Sequence, residues 1–299
     1  MRVLLTGASG FIGRHTLRHL LNMGDDVGLL VRSTPPHFLS DEDASRVEVH
    51  TISSHANAFQ NIIRNGSYDA IVHLATLYAR ATEAVDIHAL VSTNVDLGLE
   101  LASSCSETGT KMVVAGTYFQ GLSFEKVQHP SLYAASKQAL REFLLYFRST
   151  NQLNFVELRL FDTFGPGDTR DKLIPALMKA AHTGEEILLS DPRKEIRLTF
   201  VADAVEDIYY LLRDPSAQDC FSRASPPLDL SDIVMLCQEQ WNTEIKVRWG
   251  EAGNQLPPPT NDSLSPIGGL PCCTKAPPTP LPEALKQTWL ALKADRGQT

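Results

Sequence analysis

What this 299-residue chain has little of narrows its class before any motif is read. It has no run of about 18 consecutive apolar residues, so no segment has the length a membrane-crossing helix needs. Positive charge is in deficit: 27 Lys and Arg stand against 35 Asp and Glu, a formal net charge of -8. That balance excludes a broad electrostatic footprint for nucleic acid or an anionic membrane surface. Any anionic ligand must be held by locally placed Arg, Lys and backbone N–H groups. Cysteine is scarce, and Cys105, Cys220, Cys237, Cys272 and Cys273 are an odd set without a CxxC spacing. They read as reduced thiols rather than a disulfide framework, and adjacent Cys272 and Cys273 make a poor zinc pair, so no metal site is expected. The amino terminus opens directly on a core strand, without a charged segment followed by an apolar signal region, and the expected location is the cytoplasm. The remaining composition, 43% hydrophobic and 21% charged, is ordinary for a globular enzyme able to bury a substantial core.

What is present is organised around TGASGFIG at residues 6–13, after apolar Val3, Leu4 and Leu5 and before an amphipathic run through Leu17, Leu20 and Leu21. A strand, a glycine turn and a helix in that order make a dinucleotide site. Gly7 permits the sharp turn, Gly10 lets the backbone approach a pyrophosphate, and Gly13 lets the helix pack on its strand. The free N–H groups at the helix start face the anion, so Gly7, Gly10, Phe11, Ile12 and Gly13 are expected cofactor contacts. An ordinary glycine-rich turn is the alternative, and the strand-turn-helix context argues against it. Residues 27–31 read as the second strand. At its end, where NAD-selective sites place an acidic residue on the adenosine ribose, stand Val31, Arg32 and Ser33. A guanidinium grips a 2'-phosphate bidentately whereas a carboxylate repels it. NADP(H) is therefore expected over NAD(H), with Arg32 and Ser33 at the phosphate; a solvated strand-end arginine is the plain alternative.

Strands at residues 46–52, 68–74 and 111–115 alternate with helices at 56–64 and 83–106. Such alternation predicts an α/β fold of Rossmann type, a doubly wound parallel sheet with its ligand crevice at the carboxyl ends of the strands. His73, at the end of the fourth strand, reads as packed and hydrogen-bonded. His15 and His19 lie four apart on the first helix but have no companion ligands, which favours a solvated face. Residues 131–147, SLYAASKQALREFLLYF, begin with a capping Ser131 and carry apolar Leu140, Phe143, Leu144 and Phe147 at helical spacing, so Tyr133 and Lys137 share one helix face. A tyrosine with a pKa near 10 is too weak an acid for proton exchange at neutral pH, and a neighbouring ammonium lowers that value. Thr117, at the preceding strand end, is placed to orient and polarise a carbonyl. The expected catalytic set is Thr117, Tyr133 and Lys137.

Together these residues resemble an extended short-chain dehydrogenase/reductase of the NAD-dependent epimerase/dehydratase family. The resemblance rests on TGASGFIG, DAIVHLA, YAASK, LRLFDTFGPGD at residues 158–168 and IRLTFVADAVEDI at residues 196–208. It implies that Leu74, Ala75 and Thr76 line the adenine ribose and pyrophosphate and that Lys137 and Tyr133 reach the nicotinamide ribose and ring. For Asn94 it implies a role in a helix kink or a proton-relay water, with a local hydrogen bond as the equal alternative. It places Phe161, Asp162 and Thr163 at the nicotinamide and sugar, and Arg197 at the substrate diphosphate. Asp162 stands where the family has Asn, and Arg197 is one position off the usual spacing to Asp203. A surface ion pair of Arg197 with Asp203 or Glu195 is the alternative. Tyr78 and Arg80 are sugar contacts or simply packed loop residues.

Tyr118 and Phe119 occupy the places where sugar 4,6-dehydratases of the family carry Asp and Glu, which argues against dehydration. GTYFQ at residues 116–120 and the short interval from Thr117 to Tyr133 are similar to nucleotide 4-keto-6-deoxysugar reductases. The function this implies is NADPH-dependent reduction of the C4 keto group of a nucleotide-linked deoxysugar. A 4-epimerase holding NAD tightly fits Val31 and Arg32 poorly. A dinucleotide-sensing regulator typically loses the Tyr or Lys, and both are here. The resemblance further implies a homodimer built on helix 83–106 and the YAASK helix. Residues 1–165 are expected to form the dinucleotide-binding domain and 166–299 mainly a smaller α/β substrate lobe, with the chain crossing between them. In that lobe the sequence predicts a helix through Leu177 and Met178, strands near Ile187 and at 196–201, and a helix at 204–212. A Pro- and Gly-rich connector follows at 253–282, and a last helix at 282–294 buries Leu285, Trp289 and Leu292.

Overall fold

The computed structural model describes residues 1–32, 39, 41–52, 58–78, 86–120, 131–150, 153–250 and 270–297. Strand β1 (Arg2–Thr6) buries Val3, Leu4 and Leu5 completely, the unbroken apolar run of a strand covered on both faces. Helix α1 (Phe11–Asn22) follows and sets Leu17, Leu20 and Leu21 inward on one stripe. Next come β2 (Asp26–Val31), α2 (Asp41–Ser45), β3 (Val47–Thr51), α3 (Ala58–Gly66) and β4 (Ala70–His73). The helix expected at 83–106 is α4 (Ile87–Val91) and α5 (Leu97–Thr108), joined by a π-helical turn at Ser92–Asp96; residues 83–85 lie outside the described residues. Strand β5 (Lys111–Thr117) extends two residues beyond its expected end and takes in Gly116 and Thr117. Helix α6 (Leu132–Thr150) and β6 (Phe155–Leu160) follow.

Beyond β6 the elements are short: β7 (Asp162–Phe164), α7 (Leu173–Thr183), β8 (Ile187–Leu189), β9 (Glu195–Ile196) and β10 (Leu198–Phe200). The strand expected at 196–201 is thus two strands that part at Arg197, and helix α8 (Val201–Arg213) begins where it was to end. After β11 (Cys220–Phe221) and β12 (Leu228–Asp229) comes α9 (Leu230–Trp241), a helix not anticipated from the sequence, whose buried face is Leu230, Ile233, Val234, Cys237 and Trp241. Strand β13 (Val247–Trp249) and helix α10 (Leu281–Gly297) complete the described chain. Most of the expected connector at 253–282 lies outside it.

Seven strands form the central sheet in the order β11-β6-β5-β4-β1-β2-β3, with parallel pairing. This is the expected Rossmann architecture. Thr6 at the end of β1 is level with His73 on one side and Leu30 on the other, so the order reverses at β1 and the strand ends there open together. That is where a doubly wound sheet receives its ligand.

The described residues divide into two compact units. One takes residues 1–159, 205–221 and 270–273; the other takes 160–204, 222–250 and 274–297. The second has its own core, in which Trp241 stacks on Trp289 at 5.1 Å between ring centroids and donates its indole N–H to the Leu285 carbonyl at 3.1 Å. Leu285 and Trp289 are buried on the predicted stripe of α10. Among the described residues no helix is long and apolar enough to cross a membrane.

Candidate active site

At the glycine turn the three glycines answer to different demands. Gly7 has φ +73°, and a Cβ there would lie 2.6 Å from the Ala75 nitrogen, while a Cβ on Gly13 would overlap the Gly7 carbonyl. Gly10 is different: its Cβ would meet only the Gly7 oxygen, at 3.2 Å, and otherwise open space. Protein packing therefore does not demand glycine at Gly10, but a phosphate pressed against the backbone does. Helix α1 starts at Gly10 with no side-chain cap and no acidic residue in its first turn. An uncapped helix start of this kind presents its positive end to an anion. The turn fits a dinucleotide pyrophosphate. Arg32 is exposed just past β2. Ser33, its expected companion, and Arg80 lie outside the described residues.

Across the switch point, the Thr6 hydroxyl accepts a hydrogen bond from the Ala75 N–H at 3.1 Å and meets His73 Nδ1 at 2.9 Å. His73 is fully buried, and burial together with the Lys137 charge pushes its pKa down to about 3, so the ring is neutral. It is packed and hydrogen-bonded, as its sequence context suggests; its Nε2 has no partner among the described residues. Leu74 is buried and Thr76 exposed as the chain leaves β4. Asn94, buried in the π-helical turn, accepts from Thr76 Oγ1 at 3.1 Å and Leu77 N at 2.7 Å. Its amide donates to the Leu77 carbonyl at 3.0 Å and to Ser136 Oγ at 2.9 Å. Asn94 thus ties the β4 exit to the helix carrying Tyr133.

Ser131 caps α6 as expected, its hydroxyl accepting from the Ala134 N–H at 3.1 Å. Lys137 is only 3% exposed, and its ammonium donates to the Ala115 carbonyl at 3.0 Å, two residues before Thr117. Burial pushes its pKa down to about 8, and the Glu157 carboxylate works against that fall. Tyr133 is half-buried one turn earlier, with the Tyr78 ring edge-on to it at 5.2 Å. Thr117 is buried, and its amide donates to Gln120 Oε1 at 2.6 Å.

In the second unit, the Arg197 guanidinium lies 5.8 Å over the Phe161 ring. Asp162 pairs with Lys172 at 3.5 Å. Thr163 is buried with its hydroxyl on the Phe161 carbonyl at 3.1 Å, and Arg170 holds the Thr163 carbonyl at 2.6 Å and Asp168 at 2.7 Å. The ion-pair alternative for Asp203 goes to another arginine: Asp203 lies 3.7 Å from Arg223 and accepts from the Thr279 amide and hydroxyl at 2.9 and 2.8 Å. Lys172, Arg170 and the buried Gln120 and Glu157 escaped the sequence reading. A signal for Glu157 was there, since Glu157 and Arg159 interrupt an otherwise apolar strand with two charges on one face.

The sequence pattern described as "NAD dependent epimerase/dehydratase family" matches residues 3–222, and the chain belongs to that family. It is 24% identical over 222 residues to a CDP-abequose synthase of Yersinia pseudotuberculosis, covering 73% of this chain and 75% of that protein. It is 27% identical over 262 residues to a dTDP-4-dehydro-6-deoxy-D-allose reductase of a Streptomyces species, with 78% and 80% covered. Among solved structures, a UDP-N-acetylglucosamine 4-epimerase from Methanobrevibacter ruminantium superposes with a TM-score of 0.81 at 17% identity over 98% of both chains, a likeness of fold.

Proposed function

We propose that this protein is an NADPH-dependent reductase of the C4 keto group of a nucleotide-linked deoxysugar. The observation that carries the reading is the buried Lys137 ammonium, one helical turn from Tyr133 and anchored to the strand end that bears Thr117. The likeness to a 4-keto-deoxysugar reductase and to CDP-abequose synthases supports the substrate class. When bound, the dihydronicotinamide supplies a hydride to the carbonyl carbon. Tyr133 gives its phenolic proton to the oxygen that gains charge, and Lys137 keeps the resulting phenolate accessible at neutral pH. Thr117 orients that oxygen with its hydroxyl. Gly7, Gly10, Phe11, Ile12 and Gly13 hold the pyrophosphate, and Leu74, Ala75 and Thr76 line the adenine side. Arg32 and Ser33 take the 2'-phosphate, which makes NADP(H) the preferred coenzyme over NAD(H).

The first unit is the dinucleotide-binding body in this reading, while Phe161, Asp162, Thr163 and Arg197 of the second serve the nicotinamide, sugar and diphosphate. Tyr78, set against the Tyr133 ring, is a sugar contact, and Arg80 is assigned the same role. A homodimer through α4 and α6 accounts for the exposed Ile87, Val91, Leu132, Phe143 and Tyr146 on those helices. Incubation with NADPH and a CDP- or dTDP-linked 4-keto-6-deoxysugar tests the function. The expected result is one NADPH consumed per C4 alcohol formed. Exchange of C4 configuration in a sugar nucleotide by enzyme that retains NAD, without net NADPH use, would favour the epimerase instead.

A further inference from the structure

Beneath Thr117 lies a cluster of charges that the proposed proton transfer does not use. Glu157 is 2% exposed, and its carboxylate is fully engaged. Oε2 accepts from Arg141 Nη1 at 2.7 Å and Arg159 Nε at 2.9 Å, and Oε1 accepts from Gln120 Nε2 at 2.9 Å. Asp219 closes the cluster, accepting from the Glu157 amide at 2.9 Å and pairing with Arg141 at 2.9 Å and Arg148 at 3.1 Å. The Gln120 amide orientation is unambiguous, because its oxygen must face the Thr117 N–H, which leaves its nitrogen for the carboxylate. The Gln120 backbone N–H closes a turn by donating to the Thr117 carbonyl at 3.0 Å, and its backbone carbonyl accepts from Arg159 Nη1 at 3.4 Å. Gly116 belongs to the same construction: a Cβ there would come within 2.7 Å of Gln120 Oε1 and 2.8 Å of Glu157 Oε1. The strand can carry both oxygens against its backbone only with glycine directly before Thr117. Arg141 is the next residue on the α6 face that holds Tyr133 and Lys137.

Building on the reductase reading, we propose that Gln120 and Glu157 are positioning residues: Gln120 fixes Thr117 from the buried Glu157 carboxylate, which locks β5 to α6 through Arg141. The same carboxylate favours the charged form of Lys137. A carboxylate serving stability alone is satisfied by its two arginines. Here its second oxygen is spent on a neutral amide whose far end holds the catalytic strand terminus. Around Lys137, β4 contributes neutral His73, β5 the Ala115 carbonyl and β6 the Glu157 charge, while α6 itself contributes Tyr133 and Arg141. Among the described residues, Glu157 is thus the one anion that acts on Lys137, and Arg141 and Arg159 temper it.

Two variants separate positioning from mere support. Gln120→Met removes both amide bonds and leaves the ion pairs intact. It should lower kcat for ketosugar reduction on the order of 10- to 100-fold, with KM and the NADPH dissociation constant nearly unchanged. Hydrogen exchange at the Thr117 amide should quicken in the same variant. Glu157→Gln should move the alkaline limb of kcat/KM, and the titration of Lys137 followed by 13C-lysine NMR in the free protein, down by about 0.5–1 pH unit. A Gln120→Met enzyme that melts earlier but turns over at the wild-type rate would overturn the proposal, as would a Lys137 titration unmoved in Glu157→Gln. If Glu157→Gln does not fold, Gln120→Met decides alone. If wild-type protein reduces no ketosugar, the reductase reading fails, and Thr117 exchange with the Lys137 titration still judges the brace.

Discussion

Among the described residues Lys137 is offered one carbonyl and no carboxylate in direct contact, and burial lowers its pKa from the ordinary range to about 8. The folded state releases this proton before the unfolded chain does, so folding stability gains as pH rises through about 8 and is taxed below it. Lys137→Met should therefore abolish turnover while holding or raising thermal stability at neutral pH, by on the order of 2 kcal/mol. Calorimetry beside an activity assay checks both halves. Activity has the opposite dependence, since Tyr133 needs the ammonium, and kcat/KM should decline above about pH 8. Tyr133, Lys137 and Thr117 were legible in the sequence because helical periodicity and a strand end suffice to place them. Glu157 stands out only as a charge inside an apolar strand, and its partner Gln120 not at all, because the hydrogen bond that joins them spans 37 positions.

The elements around the site divide the work between fold and ligand, and the glycines expose the division. Gly13→Ala forces a methyl group into the Gly7 carbonyl and should cost a few kcal/mol in a denaturation experiment. Gly10→Ala meets only one oxygen at 3.2 Å and should fold within about 1 kcal/mol of wild type. It should nevertheless weaken NADPH binding at least tenfold, because the methyl group occupies the approach to the backbone; fluorescence titration measures it. The strands of the central sheet were readable from their apolar runs. Apolar spacing alone predicts one helix at 83–106, because the i→i+5 bonding at Ser92–Asp96 leaves no mark on that spacing; only the resemblance pointed to a kink, at Asn94. The two-strand break at Arg197 was missed for a related reason: strand-like residues on both sides hide the parting.

Over the whole molecule, legibility tracks the family segment. Up to residue 222 the longer elements follow from motifs and periodicity while short α2, β7 and β11 do not; beyond it α10 is legible and α9 is not, although its buried stripe is regular. Its partner is α10, far along the chain, and the Trp241–Trp289 stack that joins them is a tertiary fact. The exposed apolar residues on α4 and α6 bear on assembly. Tyr146→Glu combined with Phe143→Glu should convert the proposed dimer to a monomer of unchanged melting behaviour, which light scattering on a sizing column resolves.

The most direct test of the central claim is a single-turnover measurement of NADPH oxidation with a nucleotide 4-keto-6-deoxysugar, comparing wild type with Tyr133→Phe. Wild type should transfer hydride, and the variant should lose roughly 100-fold or more of that rate while its NADPH affinity scarcely changes. A phenylalanine enzyme that oxidises NADPH as fast as wild type would contradict it.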